Sequence, residues 1–259
     1  METPLNPRPE PQRGAAPSFT GVDAVEIKVT IRPDQELRAE RALRVNEDTA
    51  DVRMIYFYDT PDLDLFEAGI ALRARLIKGD DDNSTVKFRS TSQGIIAPEW
   101  YRHEGFKLEA DMVGDRVVYS ASLTCLQQRD EIDEVADGQR SIDKLYSQDQ
   151  ERFLRAFYAG SVGFDQLCVM GPIRVLRWKL EHKGFPHELT VEEWRLPDGD
   201  DLVEVSIKVP PEEAHQAQQA FDNHLRALNL DPQGAQETKT RTALQYFAKV
   251  CKGTVVGQA

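Results

Sequence analysis

Five stretches of this 259-residue chain carry charges of both signs on alternate residues: Glu26-Ile27-Lys28, Arg73-Ala74-Arg75, Lys87-Phe88-Arg89, Glu109-Ala110-Asp111 and Glu204-Val205-Ser206-Ile207-Lys208. Residues i and i+2 of a strand point to the same side, so each stretch puts its charges on one face and its apolar residues on the other. A sheet lying on a protein surface would show the same alternation. The basic pairs, however, sit in strands that are otherwise strongly apolar, such as Ile70-Ala71-Leu72-Arg73-Ala74-Arg75-Leu76-Ile77. A sheet closed on itself, with a polar interior and a packed exterior, accounts better for that combination. Cations facing carboxylates inside one cavity point to a polyphosphate gripped by Arg and Lys, with a divalent metal held by the acids.

Period-two alternation and β-branched or aromatic runs predict eight strands, at 24–31, 52–59, 70–77, 85–90, 104–112, 173–181, 188–195 and 202–209. Helices are expected at 34–44, 60–69, 141–159, 210–228 and 239–251. In the second of these, Thr60 would cap the first turn, Pro61 would occupy its first position and Gly69 would end it. The fold expected is α+β, an eight-stranded antiparallel β-barrel forming a tunnel and decorated with helices. Residues 1–20, with five prolines, read as a disordered arm. Residues 21–259 read as a single tunnel domain with a helical insertion around 113–172.

A formal charge of −12 argues against general nucleic-acid binding, which needs a basic face. Cys125, Cys168 and Cys251 lack disulfide-framework or zinc spacing and are expected as reduced thiols. The apolar runs fall short of the roughly 20 residues that span a bilayer, and the N-terminus has no apolar signal core. No membrane contact and a cytoplasmic location are therefore expected. The sequence lacks GxxxxGK[ST], GxGxxG and GxSxG patterns. The five histidines have no metal-binding spacing and receive no role.

Arg73 and Arg75 on one strand, and Lys87 and Arg89 on the next, would put four cations on one face; on an open surface they would simply be solvated. Arg suits phosphate because its planar fork matches phosphate oxygens and stays charged. Arg177 and Lys179 form a third basic pair, with Trp178 on the opposite face and expected to pack. The facing acids are Glu26, Glu109, Asp111, Glu204 and one of Glu192 and Glu193, which as neighbours point opposite ways. Singly each reads as a surface carboxylate or a partner for Arg; together they would ligate Mg²⁺ or Mn²⁺. Thr30 and Ser206 share these faces and would hydrogen-bond water or phosphate. The acidic stretch Asp130-Glu131-Ile132-Asp133-Glu134 reads first as a solvated run. It is also a candidate for capping a tunnel mouth or for a homodimer contact.

The run from Tyr56 through Asp59-Thr60-Pro61-Asp62-Leu63-Asp64-Leu65-Phe66-Glu67-Ala68-Gly69 to Arg73-Ala74-Arg75 resembles the central signature of CYTH domains, the triphosphate tunnel metalloenzymes. Val86-Lys87-Phe88-Arg89 matches the family's next strand, Glu204 stands where a late tunnel carboxylate belongs, and Lys239 in Thr238-Lys239-Thr240-Arg241 resembles the C-terminal lysine. The likeness covers about residues 22–250, with 91–172 less familiar. It implies phosphate binding by Lys28, Arg73, Arg75, Lys87, Arg89, Arg177 and Lys239, to which the basic strand adds Lys179. It also implies that Glu26, Glu109, Asp111 and Glu204 hold metal or position water, with Lys28, Glu109 and Asp111 as the catalytic set. The family opens on ExExK, whereas this chain has Ala24-Val25-Glu26-Ile27-Lys28; the family's late ExE is Glu204-Val205-Ser206 here. Two ligand carboxylates are replaced and the cations are intact. The function expected is divalent-metal-dependent hydrolysis of the terminal phosphoanhydride of a triphosphate, with inorganic triphosphate favoured. The alternatives are a non-catalytic module for polyphosphate or nucleotides, and an adenylate cyclase of class IV type.

Overall fold

The computed structural model describes Phe19 and residues 21–90, 96–114, 116–197, 201–231 and 239–253. Apart from Phe19, which packs in the core beside the His215 ring, the arm expected over residues 1–20 lies outside the described residues. Nine strands form one closed barrel: β1 Ala24–Ile31, β2 Asp51–Asp59, β3 Ile70–Ile77, β4 Asn83–Ser90, β5 Phe106–Val113, β6 Arg116–Leu126, β7 Cys168–Leu180, β8 Leu189–Arg195 and β9 Leu202–Val209. Around the barrel they run β1-β5-β6-β4-β3-β2-β7-β8-β9 and close back onto β1.

Eight strands were expected, all antiparallel, and both points need correction. The additional strand is β6, within the stretch expected to be a helical insertion; it pairs with both β4 and β5. Between Val117 and Thr124 it carries no charge on either face, so it lacks the alternation that marks the other strands. The β1–β5 pair is parallel, from Ala24 opposite Glu109 to Ile27 opposite Met112, and the other pairs are antiparallel.

Among the described residues six α-helices surround the barrel: α1 Glu36–Leu43, α2 Asp64–Glu67, α3 Glu131–Ala136, α4 Gln148–Phe157, α5 Ala214–Ala227 and α6 Lys239–Cys251. Among the described residues no helix is long and apolar enough to cross a membrane. The outward faces of β1 and β9 (Val25, Ile27, Val29, Val205, Ile207) pack under α1 and α5, where Phe221 and Leu225 are fully buried. Each such side chain contributes about 1.5–3 kcal/mol by leaving water. The outward faces of β3, β4 and β6 (Ile70, Leu72, Val86, Leu123) pack under α3 and α4. Ser147 and Gln150 cap α4 reciprocally, and the buried Gln150 amide donates to the carbonyls of Ser84 and Leu123, fixing the helix to the wall. Trp178 packs outward as expected, its indole N–H donating to the Asn46 carbonyl at 2.8 Å.

The helix expected over 60–69 is confined to α2. Leu63 adopts φ 62°, which interrupts the helix after Pro61. The cap is Asp59, whose carboxylate accepts from the backbone N–H groups of Thr60, Leu65 and Phe66, while Thr60 Oγ1 accepts from that of Asp64. Gly69 then turns the chain into β3 at φ 83°. A Cβ there would lie 2.8 Å from the Arg89 carbonyl oxygen.

Candidate functional site: a charged lumen

Because outward positions carry most of the apolar residues, most charges of β1, β3, β4, β5, β7, β8 and β9 turn inward; Arg174, Glu193 and Arg195 are the outward ones, tied to each other and to Glu47. The main lumen chamber, about 360 Å³, is lined by Glu26, Lys28, Arg73, Arg75, Lys87, Arg89, Glu109, Arg177, Lys179, Glu204 and Lys239. Asp111 lines an adjoining chamber of about 140 Å³ together with Lys28, Arg89, Glu204 and Lys239. Every candidate read from the sequence thus faces one connected lumen. Ser206 lines the main chamber and Thr30 the smaller one. α6 closes one end. Its Ala243, Leu244 and Phe247 cluster with Ile55, Phe57, Val175 and Trp194, and its first residue, Lys239, reaches the chamber.

The acids come in cross-strand pairs. Glu26 stands opposite Asp111 on β1–β5, and Glu192 opposite Glu204 on β8–β9. Like charges placed so are mutually destabilising, and in each pair a lysine bridges them. Lys28 Nζ lies 3.0 Å from Glu26 Oε2 and 3.0 Å from Asp111 Oδ1. Lys239 Nζ lies 2.9 Å from Glu204 Oε1 and contacts Glu192. Burial pulls the Lys28 ammonium down, but Asp111, Glu26 and Glu204 together raise it well above its ordinary value. Burial likewise pushes Asp111 up, and Lys28, Lys87 and Arg89 outweigh it to hold the carboxyl far below the usual range. Glu192 is held at about 2, chiefly by Lys239 working against burial. Glu109 is held low, against burial, by its contact with Lys208.

The arginines are different. Among the described residues, Arg53, Arg73, Arg75 and Arg89 form no ion pair with a carboxylate within 4 Å. Arg75 Nε donates to Asn83 Oδ1 at 3.0 Å, and Nε of Arg53 and of Arg73 is buried with no hydrogen-bond partner. Such groups are costly unless something anionic meets them. The strain shows in their acidity. Arg73 beside it, together with burial, pushes Arg75 down to about 9. Burial, then neighbouring Arg89 and Arg53, lowers Arg73. Burial also lowers Arg89. Lys87, 3.6 Å from Asp111, is pushed down to about 8 by burial and by Arg89 and Lys28. Around the two chambers, twelve Lys and Arg face six Asp and Glu among the described residues, a local surplus of six positive charges in a chain of formal charge −12.

The choice between Glu192 and Glu193 is decided by register. Glu192 lies opposite Arg177 and faces the lumen, 3.6 Å from its Nε. Glu193 points outward to Arg195. Lys179 is tied to Glu188 at 3.0 Å and is about half exposed. Arg53, Lys107 and Arg116 also reach the chambers without having been singled out, as does Lys208, which was read as part of an alternating stretch but given no role. On β2 Arg53 shares its face with Asp51 and is followed there by the apolar Ile55 and Phe57, so the charge alternation stops after a single step.

No group of three His, Cys, Asp or Glu side chains among the described residues forms a metal cage by itself. The all-oxygen donor set fits a hard cation of the Mg²⁺ or Mn²⁺ kind, which takes one or two carboxylates and completes its shell with substrate phosphates and water. The Glu26–Asp111 pair supplies two such carboxylates.

No family model matches the chain, and no curated protein matches it at the level of sequence. Solved structures do match in fold. A candidate adenylate cyclase from Bacillus halodurans superposes with a TM-score of 0.56 at 15% identity, over 85% of this chain and 97% of its own. A candidate adenylyl cyclase from Hippeastrum, HpAC1, whose dominant activity is that of a triphosphatase, gives 0.55 at 16% identity, over 89% and 96%. The chain therefore shares its fold with these proteins, in keeping with the CYTH resemblance of its sequence.

Proposed function

We propose that the lumen binds a linear triphosphate and hydrolyses its terminal phosphoanhydride with the help of a divalent cation. The observation that carries this reading is the set of half-buried guanidiniums, Arg53, Arg73, Arg75 and Arg89, that pair with no carboxylate inside the barrel, with Nε of Arg53 and of Arg73 buried and unpartnered. Adjacent phosphates of a polyphosphate supply the anionic oxygens that such a cluster needs, and Arg holds them through paired, charge-assisted hydrogen bonds. Lys28, Lys87, Arg177, Lys179 and Lys239 extend the cationic surface. Inorganic triphosphate is favoured over a nucleotide. Around both chambers the only aromatic ring among the described residues is Trp194, and the Lys239 ammonium covers it at 4.9 Å.

Catalysis in such a site is mostly positioning and charge neutralisation. Lys28 and the arginines hold the phosphoryl oxygens. Glu109 and Asp111, kept ionised by their cationic neighbours, accept hydrogen bonds from water and orient it toward the terminal phosphorus. Glu26 and Asp111, with Glu109 and Glu204 in the same lumen, would hold a divalent ion, which would supply the positive charge that polarises phosphoryl oxygens.

Ala24 and Ser206, where the resembled motifs carry acids, favour a second reading in which the lumen binds polyphosphate without turnover. Phosphate release from inorganic triphosphate, with and without Mn²⁺, combined with calorimetry, separates the two. Metal-dependent release supports hydrolysis, tight binding without release supports the binding module, and absence of binding overturns both.

A further inference from the structure

The lumen chemistry leaves the cysteines unused, and two of them meet. Cys168 opens β7 and Cys251 ends α6, 83 positions apart, each partly exposed at the fringe of the apolar cluster that joins this helix to the barrel. Independent contacts converge on the same point. The Cys168 thiol donates to the Asp59 carbonyl at 3.3 Å, and Cys168 is the strand partner of Asp59. The residue after Cys251, Lys252, forms an ion pair with Asp62 at 2.7 Å, three positions beyond Asp59. At the other end of α6, Arg241 lies over the Phe66 ring at 4.9 Å. The helix is thus laid along the 59–67 segment with its last turn against the start of β7, which brings both cysteines, partly buried, against the same apolar cluster at that junction.

We propose that Cys168 and Cys251 form a reversible intramolecular disulfide that pins the end of α6 to β7. With hydrogen peroxide as oxidant the balance is complete. The Cys251 thiolate attacks the peroxide oxygen, giving a sulfenic acid and releasing water. The Cys168 sulfur then displaces that hydroxyl as a second water, so two thiols and one peroxide yield one disulfide and two waters. The order follows from the surroundings: the Cys251 thiol is made more acidic by its neighbour Cys168, while Cys168, whose S–H is held by the Asp59 carbonyl, is made less acidic by Cys251 and by burial. Partial exposure makes the pair reachable by oxidant and by reductant. The bridge fixes the helix whose first residue delivers Lys239 to the lumen. This inference does not depend on what the lumen binds.

The test is peptide mapping of the full chain, without reduction, after titration with hydrogen peroxide. The expected result is a Cys168–Cys251 linked peptide, a free Cys125 thiol, and recovery of three thiols per chain after dithiothreitol. The oxidised form should also melt about 10 °C higher, because the bridge restricts a long loop of the unfolded chain. Cys251→Ser should abolish the linked peptide, and Cys125→Ser should leave it intact. Linkage through Cys125, intermolecular dimers alone, or oxidation to sulfinic acid with no bridge would overturn the proposal.

Discussion

Lys239 sits between two carboxylates that face each other across β8 and β9, so replacing it by methionine isolates what the bridging cation does. Its ammonium lies 2.9 Å from Glu204, touches Glu192 and rests on the Trp194 ring. Burial alone would push Glu192 above its ordinary 4.5; chiefly Lys239 brings it to about 2. That difference corresponds to about 3 kcal/mol, in line with the roughly 3–5 kcal/mol lost when one partner of a buried pair is removed. In the native protein the Glu192 carboxyl is depressed. Its contribution is complete above the unfolded value of 4.5 and is lost as the pH falls toward about 2. In Lys239→Met, burial raises Glu192, opposed only by the weaker pull of the Trp194 N–H and of Arg177. The sign reverses: the carboxylate destabilises the fold at neutral pH, and the cost fades as it takes up a proton. The variant should therefore be about 3 kcal/mol less stable at about pH 8, melting about 6–12 °C lower, with the gap narrowing toward about pH 5. Urea unfolding followed by circular dichroism, in phosphate-free buffers across that range, reads it directly. A gap below about 1 kcal/mol at the alkaline end, as for an exposed ion pair, or one that does not change with pH, would refute the argument.

Replacing Arg73 and Arg75 together by alanine should weaken triphosphate binding by about a hundredfold or more, since each charge-assisted contact is worth about 1.5–3 kcal/mol; calorimetry that shows unchanged affinity would remove the clamp. Glu204→Gln should lower metal-dependent phosphate release more than triphosphate affinity, and an equal loss in both would point to a structural role. Lys87, held at about 8 in the free protein, should make anion affinity fall as pH rises through that value, because its ammonium is lost there. In Lys87→Arg the decline should move to higher pH, as seen by calorimetry in a pH series, and an unshifted decline would assign it to another group.

Much of the barrel was legible because inward charge against outward hydrocarbon is a signal of period two. β1, β3 and β9 fall where that alternation ends. β6 escaped because its inward Val118, Ser120, Ser122 and Thr124 are uncharged; its neighbours' charges, not its own, make it part of the wall. The parallel β1–β5 pairing escaped because pairing is a long-range property that alternation within a strand does not encode. The site was legible strand by strand, and all of the expected residues share the lumen. Their pairing was not. That Lys28 bridges Glu26 and Asp111, that Glu192 rather than Glu193 turns inward, and that Arg53 joins the cluster all follow from register between strands far apart in the chain.

The strand count has a consequence of its own. A ring with an odd number of members cannot alternate in direction all the way round, so nine strands require at least one like-directed neighbour, and here the mismatch falls at β1. That strand is the seam of the wall, holding β5 on one flank and β9 on the other. A chain shortened past Ile31 would present two raw edges with rows of unclaimed backbone donors and acceptors, the usual template for association between copies. It would also open the lumen to water along its full height, so the same eight residues both cover two strand edges and keep the interior enclosed.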